Sequence, residues 1–96
     1  MGPTGPLVDV VIPVFNGERT IRRAVESVLG QSYRHLHLIV VDDGSSDGTR
    51  EVLGEVEDPR LTVVTRAHAG VSATRNAGIA AGTGDFVVFL DSDDEC

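Results

Sequence analysis

Four short apolar runs, each separated from the next by a stretch of helical periodicity, constrain this chain more than any other feature. Leu7–Pro13 is rich in β-branched residues and closed by a proline, as a buried strand would be. Leu36–Val41, Leu61–Thr65 and Asp85–Leu90 repeat the pattern. Between the first two runs, Ile21, Ala24, Val25, Val28 and Leu29 recur at i, i+3, i+4, i+7 and i+8. That spacing predicts a helix over Arg19–Leu29 with one apolar face and Gly30 as its C-terminal stop. A shorter helix is expected over Thr49–Val56, with Val52, Leu53 and Val56 inward and Asp58-Pro59 breaking it. A third is expected over Val71–Ala81, where Ala73, Ala77, Ala80 and Ala81 form a face of small residues suited to close packing on a sheet.

Strands alternating with helices argue for an α/β fold, a Rossmann-like parallel sheet with helices on both faces. Right-handed crossovers and the usual doubly wound connectivity predict the strand order 3-2-1-4. Ligands of such sheets sit at the carboxyl ends of the strands, near the switch point between strands 1 and 4. The polar residues collect at those ends: Asn16 and Glu18 after strand 1, Asp42 and Asp43 after strand 2, Arg66 after strand 3, and Asp91 to Asp94 after strand 4.

Composition removes several function classes. The eight basic residues are all arginines, so no chemistry that needs a lysine, such as a P-loop or a Schiff base, is open to this chain. A net charge of −7 argues against nucleic acid as a partner. Apolar runs such as Phe86–Leu90 are far too short to span a bilayer. Residues 1–6 lack the basic start and apolar stretch of a secretory signal and read as a flexible leader, leaving residues 7–96 as the folded unit. The lone Cys96 can form no internal disulfide, which fits a reducing compartment.

Each polar segment carries a chemical option beside a purely structural one. Asp91-Ser92-Asp93-Asp94 crowds carboxylates at a strand end, where they repel one another. A hard divalent cation relieves that cost, and Mg²⁺ or Mn²⁺ typically binds one or two carboxylates plus substrate phosphates. The structural alternative is a solvated acidic turn or a helix N-cap. Asp42-Asp43-Gly44-Ser45-Ser46-Asp47-Gly48-Thr49 could present a carboxylate to an imide N–H such as that of uracil, or could simply turn the chain and cap the next helix through Ser46 or Asp47. In Val14-Phe15-Asn16-Gly17-Glu18, Phe15 could be core, Asn16-Gly17 a turn, and Glu18 a surface residue or a first-turn charge complementing the helix dipole. Gly70–Gly78 opens the third helix, where Arg75 could reach a phosphate or a base, or could lie on the surface. His35, His37 and His68 read as loop or surface residues.

Taken together these segments resemble family 2 glycosyltransferases of the GT-A fold. The resemblance rests on Val11-Ile12-Pro13-Val14-Phe15-Asn16, on Ser27-Val28-Leu29-Gly30-Gln31-Ser32-Tyr33, on Val40–Thr49, on Gly70–Gly78 and on Asp91–Asp94. Order and spacing match from about Val8 to Asp94, and five ordered segments are far more specific than any one of them.

The resemblance implies transfer of a sugar from a nucleoside diphosphate donor, usually UDP-linked, to an acceptor hydroxyl, with inversion and with Mg²⁺ or Mn²⁺. By position, Pro13, Val14 and Phe15 would line the nucleoside pocket and Glu18 would approach the ribose or base. Asp43 would take the uracil imide, and Arg75 would lie near the base or phosphates. Asp91 would sit by the ribose and metal, Asp93 would be the direct metal ligand, and Asp94 is a weaker candidate. The general base is expected beyond Cys96, so the chain reads as the nucleotide-binding half of an incomplete GT-A domain, inactive alone. A cytoplasmic location, or a peripheral one at the inner membrane face, is the matching expectation, as is self-association through the uncovered edge of strand 4.

Other readings make distinct demands. A phosphotransfer receiver domain shares the sheet and the acidic cluster but needs a lysine. A nicotinamide-binding fold would place G-x-G-x-x-G after strand 1, which is absent. A non-catalytic module that binds nucleotide, or only packs on a partner, predicts binding without turnover or no binding.

Overall fold

The computed structural model describes residues 6–31, 35–67, 70–82, 84 and 86–90, with residues 71–75 described by their backbone alone. Its elements follow the expected alternation: β1 (Val8–Val14), α1 (Ile21–Leu29), β2 (Leu36–Asp42), α2 (Thr49–Gly54), β3 (Leu61–Thr65), α3 (Val71–Ala81) and β4 (Phe86–Phe89). All strand pairs are parallel and the order is β3-β2-β1-β4. Among the described residues no helix is long and apolar enough to cross a membrane.

The sheet is covered on both faces, and strand alternation decides what each face holds. Val10, Ile12 and Val14 of β1, with Leu38 and Val40 of β2, face α1 and α2. There they pack with Ile21, Ala24, Val25, Val28 and Leu53. The four α1 residues are among the five picked out by the helical spacing, and the fifth, Leu29, is partly buried against the same cluster. Val11, Ile39 and Val41 face the other way and pack with Ala77 and Ala81 of α3. Gly78 is what lets α3 lie this close, because a Cβ there would press into the side chain of Val11. Ala80 points away from the sheet and is exposed, so the small-residue face is narrower than the sequence suggested.

Boundaries moved for local reasons. β1 runs one residue past Pro13, a tolerated position because the β4 ladder ends at the pair Val11–Phe89 and no β4 partner awaits an amide at Pro13. Helix α1 starts at Ile21 rather than Arg19, because Gly17 accepts the amides of Thr20 and Ile21 in a turn just ahead of it. Helix α2 ends at Gly54, ahead of the Asp58-Pro59 corner. Gly30 does follow α1, but in a right-handed conformation (φ −85°) rather than the left-handed one usual for a glycine stop. Arg60 ties that end of the sheet together, bonding both Asp58 and the carbonyl of Leu29.

β4 stands apart from the rest. Among the described residues it pairs only with β1, and Phe86, Val87, Val88 and Phe89 are all exposed.

Candidate functional site

The carboxyl ends of β1 and β2 carry two loops that are stitched together. The amide of Asn16 donates to Ser45 Oγ (2.8 Å), and the amide of Ser46 donates back to Asn16 Oδ1 (2.8 Å). Gly17 N–H donates to Thr49 Oγ1 (3.0 Å), and Glu18 N–H to Asp47 Oδ2 (3.3 Å). Gly48 N–H in turn donates to Glu18 Oε1 (3.3 Å). Loop amides close to a buried sheet end need partners, and here each loop supplies them for the other. Asp47 also accepts from the amide and hydroxyl of Thr49. The Thr49 hydroxyl is the main reason its carboxyl sits below the ordinary aspartate value. Partial burial opposes the shift, and the amides of Thr49 and Glu18 reinforce it.

The adjacent aspartates after β2 do different work. Asp42 is fully buried and structural: Oδ1 accepts from Ser45 N–H (3.0 Å), and Oδ2 pairs with Arg50 Nε (2.8 Å). Asp43 lies towards the start of α3. Its Oδ2 accepts from Gly70 N–H (3.1 Å), and its Oδ1 is 3.9 Å from Arg66 Nε. Its own amide is held by the carbonyl of Val14 (2.9 Å), which fixes the end of β2 to the end of β1. Gly70 adopts φ +96°, a conformation glycine takes at little cost, and this aims its amide at Asp43.

A cavity of about 340 Å³ opens beside the stitched loops, lined by Phe15, Asn16, Gly17, Glu18, Arg19, Thr20 and Asp47. Phe15 is not core, being 49% exposed. Val14 is the buried neighbour: its side chain joins the core under α1, and only its backbone reaches the loops. Pro13 is partly buried and pairs with Val41. Glu18 lies outside the first turn of α1, which holds no acidic residue; its carboxylate instead accepts from the amide of Gly48, the residue that caps the start of α2. Arg75 is described by its backbone in α3, and Asp91, Asp93 and Asp94 lie outside the described residues. Leu90 precedes Asp91, and its amide bonds the carbonyl of Val11 (3.0 Å), so β4 runs towards the end of the sheet where Asp43 lies. Among the described residues no group of three or more His, Cys, Asp or Glu is placed to hold a metal ion.

Sequence reasoning missed one polar cluster. Asp9, inside the apolar run of β1, is buried, accepts from Gly84 N–H (2.7 Å) and faces His37 Nδ1 at 3.6 Å. His37 is a partly buried strand residue, not a loop or surface one, and its Nε2 lies 2.6 Å from Thr62 Oγ1. Asp9 and His37 are register partners on the same face of adjacent strands, a pairing that the strand register reveals and the periodicity of either strand does not.

A parallel sheet with a laced loop platform at its carboxyl ends defines a doubly wound α/β domain, a class whose ligands bind at the switch point of the strand order, here between β1 and β4. The chain belongs to glycosyl transferase family 2, whose family model matches residues 9–96. This membership sets aside the receiver and nicotinamide readings. Over 89 residues it is 42% identical to an Escherichia coli protein, UDP-Glc:alpha-D-GlcNAc-diphosphoundecaprenol beta-1,3-glucosyltransferase WfgD, covering 92% of this chain and 35% of the relative. Its fold matches S. aureus TarS 1-349 in complex with UDP-GlcNAc at a TM-score of 0.86 and 29% identity, over 92% of this chain and 27% of that one. It matches the mannosyltransferase PcManGT from Pyrobaculum calidifontis, in complex with GDP-Man and Mn²⁺, at 0.86 and 30% identity, over 94% of this chain and 28% of that one. The sheet, its order and these neighbours make the fold GT-A. The chain spans about a third of the length of this curated relative and of these solved structures.

Proposed function

We propose that this chain forms the donor-binding region of an inverting glycosyltransferase that uses a UDP-linked sugar and a divalent metal. The observation that carries the reading is Asp43, held at the end of β2 by Gly70 and Arg66 beside two interlocked loops. A carboxylate has about four lone-pair sites, so one fixed by a backbone amide keeps capacity for an imide N–H. Phe15 would offer the wall for a base or ribose, and Pro13 and the Val14 backbone the floor. Glu18 would approach the ribose or base from its brace on Gly48, and Arg75 would lie near the base or phosphates.

The charge of the site supports the metal. Glu18, Asp43 and Asp47 gather at one end of the sheet and outnumber Arg19 and Arg66 beside them, an acidic excess that a cation would offset for an incoming diphosphate. Asp91 and Asp93 would hold Mg²⁺ or Mn²⁺, since hard carboxylate oxygens suit either ion. Bound there, the ion would offset the charge that develops on the departing nucleoside diphosphate. The residues of this chain would bind and orient the donor; none of the described residues is assigned as general base. The β4 strand would favour association of copies, because among the described residues it pairs with β1 alone and its four apolar residues are exposed.

Competition among nucleotides tests the assignment of Asp43. UDP presents a ring N–H where CDP presents only an acceptor. A hydrogen bond to a charged group contributes about 1.5–3 kcal/mol, so CDP should bind roughly ten- to a hundredfold more weakly than UDP in the presence of Mn²⁺. Equal affinity for the two nucleotides would remove the imide contact from the account.

A further inference from the structure

We infer that Asn16 is a positioning residue for the nucleotide, setting the distance between the Phe15 wall and the Asp43 loop; this rests on the nucleotide-site reading above. Asn16 is the single non-glycine residue with positive φ (+53°) among the described residues. Asn tolerates that region better than most side chains, yet the conformation still needs support from its surroundings. The support comes from the other loop. The Asn16 amide reaches Ser45 Oγ, and its side-chain oxygen receives the Ser46 amide and, at 3.4 Å, the Ser46 hydroxyl.

Those contacts fall on the turn that follows Asp43. Gly44 turns the chain at φ +80°, and Ser45 N–H is pinned by the buried Asp42. Ser45 and Ser46 are therefore gripped from below by Asp42 and from the side by Asn16. On its other flank Asn16 joins Phe15 to Gly17, both of which line the 340 Å³ cavity. One side chain thus couples the two surfaces between which a base would enter. The contacts span 29 and 30 residues of sequence, so they shape the loops of the folded domain rather than any local helix or turn.

Three variants separate this role from general stability. Asn16→Gly keeps the left-handed backbone accessible but removes the side-chain acceptor. Asn16→Asp keeps both. Ser45→Ala removes the partner of the Asn16 amide and carries the test if Asn16→Gly fails to fold. Each is titrated with UDP in the presence of Mn²⁺ at a temperature where circular dichroism shows it fully folded, and the Gly70 amide is followed by ¹H–¹⁵N NMR. We expect roughly tenfold weaker UDP binding for Asn16→Gly and a shifted Gly70 resonance, a loss of similar size for Ser45→Ala, and recovery to within about twofold for Asn16→Asp. A folded Asn16→Gly, or Ser45→Ala in its place, that binds UDP as tightly as wild type overturns the inference alone. Absence of UDP binding by folded wild type overturns the nucleotide reading, and this inference with it.

Discussion

Asp43 at the end of β2 accepts a hydrogen bond from the amide of Gly70, 3.1 Å away, at the residue that opens α3. The neighbouring Asp42 is tied instead to Ser45 and Arg50. Two consecutive carboxylates thus serve opposite sides of the sheet end, one fixing the loop ahead of α2 and one tied to the start of α3.

That division predicts separable losses. Asp42→Ala leaves the Ser45 amide unsatisfied in a buried setting and should cost about 1–3 kcal/mol of stability. Asp43→Ala should cost less stability but weaken UDP binding at least tenfold. Denaturant unfolding and nucleotide titration of both variants check this. Equal effects of the two substitutions in both assays would contradict it.

Gly78 is the closest contact between α3 and β1. Gly78→Ala places a methyl group against Val11, which is fully buried and cannot withdraw. Overpacking of this kind costs about 1–3 kcal/mol, and it should outweigh the gain in helix propensity. A thermal midpoint for Gly78→Ala at or above wild type would show that α3 can shift outward freely.

Asp47 makes stability depend on acid pH. Its folded pKa is depressed, chiefly by the Thr49 hydroxyl. Its contribution is therefore present above the unfolded aspartate value and is lost as pH falls through the lower folded value. Asp47→Asn should be less stable than wild type at neutral pH, and the gap should close below about pH 4, where the unfolded aspartate protonates and then the folded one. Chemical denaturation at several pH values reads this directly; a gap that does not change with pH would argue against a charged Asp47 in the folded loop.

The exposed β4 strand predicts association. Phe86 is 58% exposed on a strand with one neighbour among the described residues. Wild type should sediment as more than a monomer at high concentration, and Phe86→Lys should shift it towards monomer with little change in thermal midpoint. A wild type that stays monomeric at all concentrations would show that this edge does not pair.

How much of this was legible in the sequence follows from what periodicity reports. Burial leaves a period, so the helix face of Ile21, Ala24, Val25 and Val28 and the strand order could be read from the chain. The loop contacts leave none. Glu18 could be read as a helix charge because the sequence does not show that Gly17 turns the chain ahead of Ile21 and sends Glu18 to Gly48. Asp9 and His37 were hidden for a similar reason: one polar residue in an apolar strand carries no period, and its partner lies on another strand. Asp43 could be marked as a candidate, but its separation from Asp42 depends on the start of α3, 27 residues on.

The proposed donor site depends on a metal ion between Asp93 and the nucleoside diphosphate at this end of the sheet. The most direct measurement is calorimetric titration with UDP, with and without Mn²⁺, on wild type and Asp93→Ala. We expect binding by wild type that strengthens at least tenfold with Mn²⁺, and loss of that metal dependence in Asp93→Ala. Equal UDP affinity with and without Mn²⁺, or no binding by folded wild type, would contradict it.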